Sequence, residues 1–203
     1  MLRLYDSRLS GNAWKVRILL NQLEIPFERV TLDLGKGDLN KPEFAEKARF
    51  KRIPVLELED GRTLVESSAI LLYLAEGSPL LPNDPYLHAD ITSWLFFEQA
   101  DLTRALALPR FFKLRGIYEE QKDKVPFLQE IGYAGLAKLE DWVGRHVFLV
   151  DNRYTLADLG VFPYVSLAHE GDHEMERFPA IRAWLSRIAA QPGFIPMIEE
   201  AKT

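Results

Sequence analysis

The chain has 203 residues, 47% of them hydrophobic and 27% charged, with a net charge of −5 and no cysteine. That length and balance suit a soluble protein with a substantial core, in one large domain or two small ones. The missing cysteines exclude disulfides, thiolate metal sites and any enzyme that uses its own thiol as nucleophile, and the absence of a basic cluster disfavours nucleic acid as a partner. No apolar run reaches the roughly 18 residues that span a bilayer, and the chain starts on a strand-like run rather than a leader pattern, so the expected location is cytoplasmic.

The first elements read as strand, helix, strand. Leu2-Arg3-Leu4-Tyr5 is a short apolar run. The stretch Ser10-Gly11-Asn12-Ala13-Trp14-Lys15-Val16-Arg17 opens a helix whose apolar residues Ala13, Val16, Leu19, Leu20 and Leu23 keep to one face. Ser10 and Asn12 are residue types that cap helices, and a helix start carries free N–H groups and partial positive charge that suit an anion. A cap alone and an anion site are both compatible with this stretch. Glu24-Ile25-Pro26 is a break, and residues 27–32 alternate as a second strand. The unit is βαβ, with its strands expected to be parallel. Leu34-Gly35-Lys36-Gly37-Asp38 is a loop without the spacing of a P-loop, and Pro42 suits the first turn of a short helix reaching Lys47.

Ile53-Pro54-Val55-Leu56-Glu57-Leu58 reads as a strand with proline at its edge, and Asp60-Gly61 turns it into a hairpin with Arg62-Thr63-Leu64-Val65. Glu66-Ser67-Ser68 opens an apolar helix, with Ser67 as the expected cap. Gly77, Pro79, Pro82 and Pro85 then mark a linker. Beyond it no alternating strand is evident. A long helix over residues 86–113 should kink or end at Pro109. Further helices are expected over 127–143, interrupted by Gly132 and Gly135, over 156–169, and over 180–190, with a short tail from Ile195. Thr155-Leu156-Ala157-Asp158 fits a capping box that starts a buried helix. The expected domains are residues 1–76, a linker at 77–86, and an all-helical domain at 87–203.

His169-Glu170-Gly171-Asp172-His173 matches the His-Glu-x-x-His zinc pattern. That pattern needs an α-helix to bring both histidines to one face, and Gly171 and Asp172 are poor interior helix residues, so no metal is expected.

Ile-Pro before the third strand, Glu-Ser-x-Ala-Ile-x-x-Tyr-Leu after the fourth, and Ser-x-Asn-x-x-Lys-Val-Arg near residue 10 together resemble the cytosolic glutathione S-transferases over essentially the whole chain. The resemblance implies an α/β thioredoxin-like N-terminal domain plus an all-α C-terminal domain. It also implies glutathione as co-substrate, no metal, and a homodimer. Ile53 at a cis Pro54 would pair its backbone with the cysteinyl unit of glutathione. Glu66 and Ser67 would hold the γ-glutamyl end, and Arg52 would stand near the glycyl carboxylate. Ser10 matches the catalytic hydroxyl of serine-type members, with Asn12 as a second donor to the sulfur and Tyr5 as the competing hydroxyl. A free thiol of pKa ~8.5 is mostly protonated at neutral pH, so a donor that favours the thiolate activates it.

Where many bacterial relatives have Asn-Pro-x-Gly-Lys, this chain has Ala48-Arg49-Phe50-Lys51-Arg52. Phe50 falls where some members place a key for the partner subunit, or it packs on its own domain. Phe97, Arg104, Leu108, Phe111 and Phe112 are candidates for the second-substrate site or for the core. Three functions are implied. The first is transfer of glutathione to small hydrophobic electrophiles, a detoxification chemistry. The second is glutathione-dependent disulfide reduction or peroxidase chemistry, suggested by a Leu-Gly-Lys-Gly loop similar to that of the bacterial Nu class. The third is a non-catalytic, protein-binding relative.

Overall fold

A computed structural model describes residues 1–198. The chain divides into two compact units, one of Met1–Ser78 together with the segment from Gln191, the other Pro79–Ala190. The tail, expected with the helical domain, therefore groups with the first unit. The reason lies in its hydrogen bonds to the first helix, described below.

The first unit runs β1 (Leu2–Asp6), α1 (Gly11–Gln22), β2 (Phe27–Thr31), α2 (Pro42–Ala45), β3 (Val55–Glu57), β4 (Thr63–Val65) and α3 (Ser67–Ala75). The four strands lie in the order β2-β1-β3-β4, with β1 parallel to β2 and both other pairings antiparallel. The hairpin closes at Asp60-Gly61, where Gly61 takes φ +84° and the Asp60 carboxylate accepts the Arg62 N–H at 3.0 Å. Strand alternation sorts the core into two faces. Tyr5, Val55 and Val65 form one row with Phe44 and Ala48, while Leu4 and Leu56, both fully buried, point the other way. Helices α1 and α3 pack on each other and bury Val16, Leu19, Leu20, Ile70 and Leu71. Each such side chain contributes about 1.5–3 kcal/mol on leaving water.

The second unit is helical among its described residues: α4 (Pro85–Phe97), α5 (Arg104–Leu114), α6 (Tyr118–Gln121), α7 (Val125–Val143), α8 (Leu156–Ser166) and α9 (Pro179–Ala189). Asp84 caps α4 by accepting the Leu87 N–H at 2.9 Å. Between α4 and α5 lies a π-helical turn, Glu98–Thr103. The sequence put the break of this long helix at Pro109. Instead α5 runs through Pro109, and the irregularity falls earlier, at Glu98–Thr103. There the buried Glu98 carboxylate accepts from the Gln99 amide and the Thr103 hydroxyl.

Gly132 and Gly135 do not interrupt α7, which is continuous. A Cβ at Gly135 would lie 2.6 Å from Leu102 Cδ2 and 3.1 Å from the Asp101 carbonyl oxygen, so the glycine admits the widened turn. Helix α8 stops at Ser166, and a short 3₁₀ turn, Ala168–Gly171, follows. No helix among the described residues is long and apolar enough to cross a membrane.

Candidate active site

Strand register brings the sequence motifs to one end of the sheet. Tyr5 pairs with Val55, and Val55 with Val65. Because β3 runs antiparallel to both neighbours, the next positions toward the same end are Asp6 after Tyr5, Pro54 before Val55 and Glu66 after Val65. Ser10 is four residues beyond Asp6, and Ser67 is one beyond Glu66. The Ile53–Pro54 peptide bond is cis.

Ser10 is the N-cap of α1. Its Oγ accepts the Ala13 N–H at 3.2 Å, and its carbonyl accepts the Trp14 N–H at 2.9 Å. A hydroxyl has one proton and two lone pairs, so this capping bond uses an acceptor and leaves the O–H free to donate. Cap and thiol donor are compatible roles for one side chain. Asn12 sits in the first turn, where its Oδ1 accepts from Ser67 Oγ at 3.2 Å. That bond joins the start of α1 to the start of α3 across 55 residues. With Oδ1 occupied, the amide N–H groups of Asn12 are the side that can face a ligand.

Ser67 is buried, and it is the first residue of α3 rather than its cap. The cap position belongs to Glu66, whose backbone takes φ +69°, a left-handed conformation that a glutamate adopts only at a cost of roughly 1–3 kcal/mol. Such backbone clusters at functional sites. The Glu66 side chain is exposed. The N–H groups of the first turn of α3 have no partner within the helix, and beside them the Ser68 hydroxyl oxygen is buried with no hydrogen-bond partner. Sequence reasoning passed over Ser68, although a second hydroxyl in the first turn was there to be read.

Below this end of the sheet lies a buried charge cluster that was also missed. Asp6 is fully buried, and its Oδ2 lies 2.9 Å from Arg29 Nε and 3.1 Å from Arg17 Nε. Burial pushes the Asp6 carboxyl up from its ordinary range, and the two guanidinium groups pull against it.

The Tyr5 hydroxyl is committed elsewhere. It donates to Glu57 Oε2 at 2.7 Å, and Lys47 Nζ reaches the other oxygen of Glu57 at 2.8 Å. Burial, reinforced by the Glu57 carboxylate, raises the Tyr5 hydroxyl above its usual value, the opposite of an activated phenol. Arg52 is exposed and Ile53 half-buried. Phe50 is 53% exposed, with the Arg49 guanidinium 5.1 Å from its ring.

The five residues considered for a second substrate do not share one environment. Arg104, Leu108 and Phe111 are spaced along one face of α5, Arg104 and Phe111 exposed and Leu108 half-buried. Phe112 is core. Phe97 packs edge-on against Trp94, with Lys138 over its ring.

His169 and His173 lie on either side of Asp172, whose φ is +63°, so no α-helical face unites them. His169 Nδ1 lies 3.0 Å from the Ser166 carbonyl oxygen, and His173 Nδ1 lies 3.3 Å from that of Ala168.

A thioredoxin-like sheet with this constellation at one end defines a class, and sequence comparison agrees. Residues 4–82 match the glutathione S-transferase N-terminal domain family and residues 88–192 the C-terminal domain family, and the chain belongs to the glutathione S-transferases. A glutathione S-transferase of known structure from Pseudomonas fluorescens is 37% identical, with a TM-score of 0.94 over 98% of this chain and 99% of that one. The disulfide-bond oxidoreductase YfcG of Escherichia coli is 27% identical over 90% of this chain and 87% of its own. The glutathione transferase URE2P6 of Phanerochaete chrysosporium, solved with oxidized glutathione, is 25% identical, with a TM-score of 0.84 over 95% of this chain and 92% of that one.

Proposed function

We propose that this chain is a glutathione transferase that binds glutathione at the shared end of β1, β3 and β4 and activates its thiol through Ser10. The observation that carries the reading is the Ser67–Asn12 hydrogen bond. It ties an anion-binding helix start to the turn that bears Ser10.

In this reading the γ-glutamyl carboxylate lies on the N–H groups of Ser67 and Ser68, with the Ser68 hydroxyl as a further donor. Glu66 takes the ammonium, the Ile53 backbone pairs with the cysteinyl unit, and Arg52 attends the glycyl carboxylate. The sulfur meets Ser10 Oγ–H and the Asn12 amide at the positive end of α1. Both donors favour thiolate over thiol. The thiolate then displaces a leaving group such as chloride from a small hydrophobic electrophile, forming the C–S bond as the C–Cl bond breaks. Leu108 and Phe111, with Arg104, are the candidates for contacting that electrophile, while Phe112 is buried in the helical core and Phe97 packs edge-on against Trp94 on α4. Phe50, exposed as it is, suits the key of a homodimer. The expected setting is cytoplasmic detoxification.

A second reading is favoured by the likeness to a protein named a disulfide-bond oxidoreductase. Here the same thiolate attacks a mixed disulfide of glutathione, giving oxidised glutathione and a released thiolate. Without a protein cysteine, both sulfurs of the product come from glutathione.

Calorimetric titration with glutathione, followed by turnover with a chloronitrobenzene and with a mixed glutathione disulfide, separates the readings. Binding with turnover of the first supports the transferase, and turnover of the second alone supports the reductase. No binding would sink both.

A further inference from the structure

Helix α1 presents a row of donors on one face. Trp14, Arg17 and Asn21 are three and four residues apart and so lie on the same side. Each donates to a backbone carbonyl of the tail. Asn21 Nδ2 reaches Gly193 at 2.8 Å, Trp14 Nε1 reaches Ile195 at 2.9 Å, and Arg17 Nη2 reaches Met197 at 2.8 Å. Three alternate carbonyls of the tail thus meet one helix. The Phe194 ring stands edge-on to Trp14 at 6.0 Å. At Gly193, φ is +73° and a Cβ would lie 2.9 Å from the Cα of Gln22, so the tail touches the backbone of α1 and only glycine fits there.

The contact continues to the start of the helix. The Trp14 N–H closes the first turn of α1 on the Ser10 carbonyl. First turns fray unless tertiary contacts hold them. We infer that residues 191–198 are a strap that positions Ser10 and Asn12, with Trp14 as the positioning residue. The strap touches no ligand. It acts by fixing the turn from which the Ser10 hydroxyl meets the sulfur, where a misplacement of an ångström costs up to about a hundredfold in rate. This role rests on the transferase reading, because it presumes that Ser10 serves a bound thiol.

Trp14→Phe keeps a ring and removes the N–H. Amide hydrogen exchange at Ala13 and Trp14 in the ligand-free protein should speed up about fivefold, the worth of one net hydrogen bond. The apparent pKa of the bound glutathione thiol, followed by its thiolate absorbance against pH, should rise by about 0.7 unit, the same fivefold factor. Glutathione affinity should change by less than about threefold, because its anchors lie on α3. Gly193→Ala acts from the tail side and should reproduce both shifts, which keeps the test open if Trp14→Phe folds poorly. Asn21→Ala releases only the far end of α1 and should leave the thiol pKa in place.

The strap would be refuted if exchange and thiol pKa stay put in both Trp14→Phe and Gly193→Ala, even with a lower melting temperature. If the unaltered protein binds no glutathione, the transferase reading and the strap's chemical role fall together, while the exchange rates still report on the first turn.

Discussion

Removing the Asp158 carboxylate should cost the protein about 3–6 kcal/mol, because three buried donors each lose a partner at about 1–2 kcal/mol apiece. Asp158 is fully buried near the start of α8. Its Oδ1 accepts the Leu149 N–H at 3.0 Å and the Trp184 Nε1–H at 2.8 Å, and its Oδ2 accepts the Thr155 N–H at 3.0 Å. In Asp158→Ala those donors face an apolar methyl with no room for bulk water. A domain of this size shifts its melting temperature by about 2–4 °C per kcal/mol, so a fall of about 10–20 °C is expected by calorimetry. Asp158→Asn keeps one carbonyl oxygen for Leu149 and Trp184 and should lose roughly half as much. Burial pushes the Asp158 carboxyl up to about 6, against the hydrogen bonds from Trp184, Leu149 and Thr155 that pull it down. Its folded value thus lies above the unfolded 3.8, so its contribution is fully present below pH 3.8 and is lost as pH rises through 6. The asparagine variant does not titrate there, so the wild type's lead over it should narrow between pH 4 and 7. An Asp158→Ala protein that melts within about 3 °C of wild type would show that the three donors find water, and the reasoning would fail.

Ser10→Ala should lower stability by about 1 kcal/mol through the lost cap on Ala13. It should also raise the thiol pKa of bound glutathione by about 1–2 units, a charge-assisted hydrogen bond's worth, and cut chloronitrobenzene turnover about 10–100-fold near neutral pH with little change in affinity. Equal activity in this variant would move the role to Asn12. Ser67→Ala should weaken glutathione binding about 5–10-fold in calorimetry, since it removes the donor that orients Asn12. Gly132→Ala sets two effects against each other. Alanine favours a helix by ~1 kcal/mol, but its Cβ would lie 2.5 Å from His173 Nε2, on a buried ring held by the Ala168 carbonyl. Overpacking of that kind costs about 1–3 kcal/mol, so a net loss of up to about 2 kcal/mol is expected in urea denaturation.

Much of this architecture could be read from residue order. Alternation in 27–32, the Asp60-Gly61 turn before 62–65, and the apolar spacing of α1 are local patterns, and local patterns fixed the βαβ start and the hairpin. The Thr155–Asp158 box was legible for the same reason, its reciprocal bonds being three residues apart. The site was legible only as a set of separated motifs. The bond that unites Asn12 with Ser67 spans 55 residues, and nothing short-range announces it. Glu66 offers no warning either, because a glutamate at φ +69° contradicts its own preference and is held there by its surroundings. Pro109 misled in the other direction. Propensity marked it as the break, yet the helix widens at Glu98–Thr103, where a buried carboxylate meets two donors and Gly135 gives way.

The tail on α1 also sets a timetable. The first unit is discontinuous: its last strand and α3 are complete by Ser78, but the residues that cap the donors of α1 begin at Gln191. During synthesis the intervening 112 residues must emerge first, which at 5–20 residues per second takes roughly 6–22 s. Through that interval Trp14, Arg17 and Asn21 have no tail carbonyls to hold. The contacts that hold α1 therefore arrive well after the helix itself, and the end of α1 that carries Ser10 settles only once residues 191–198 have emerged.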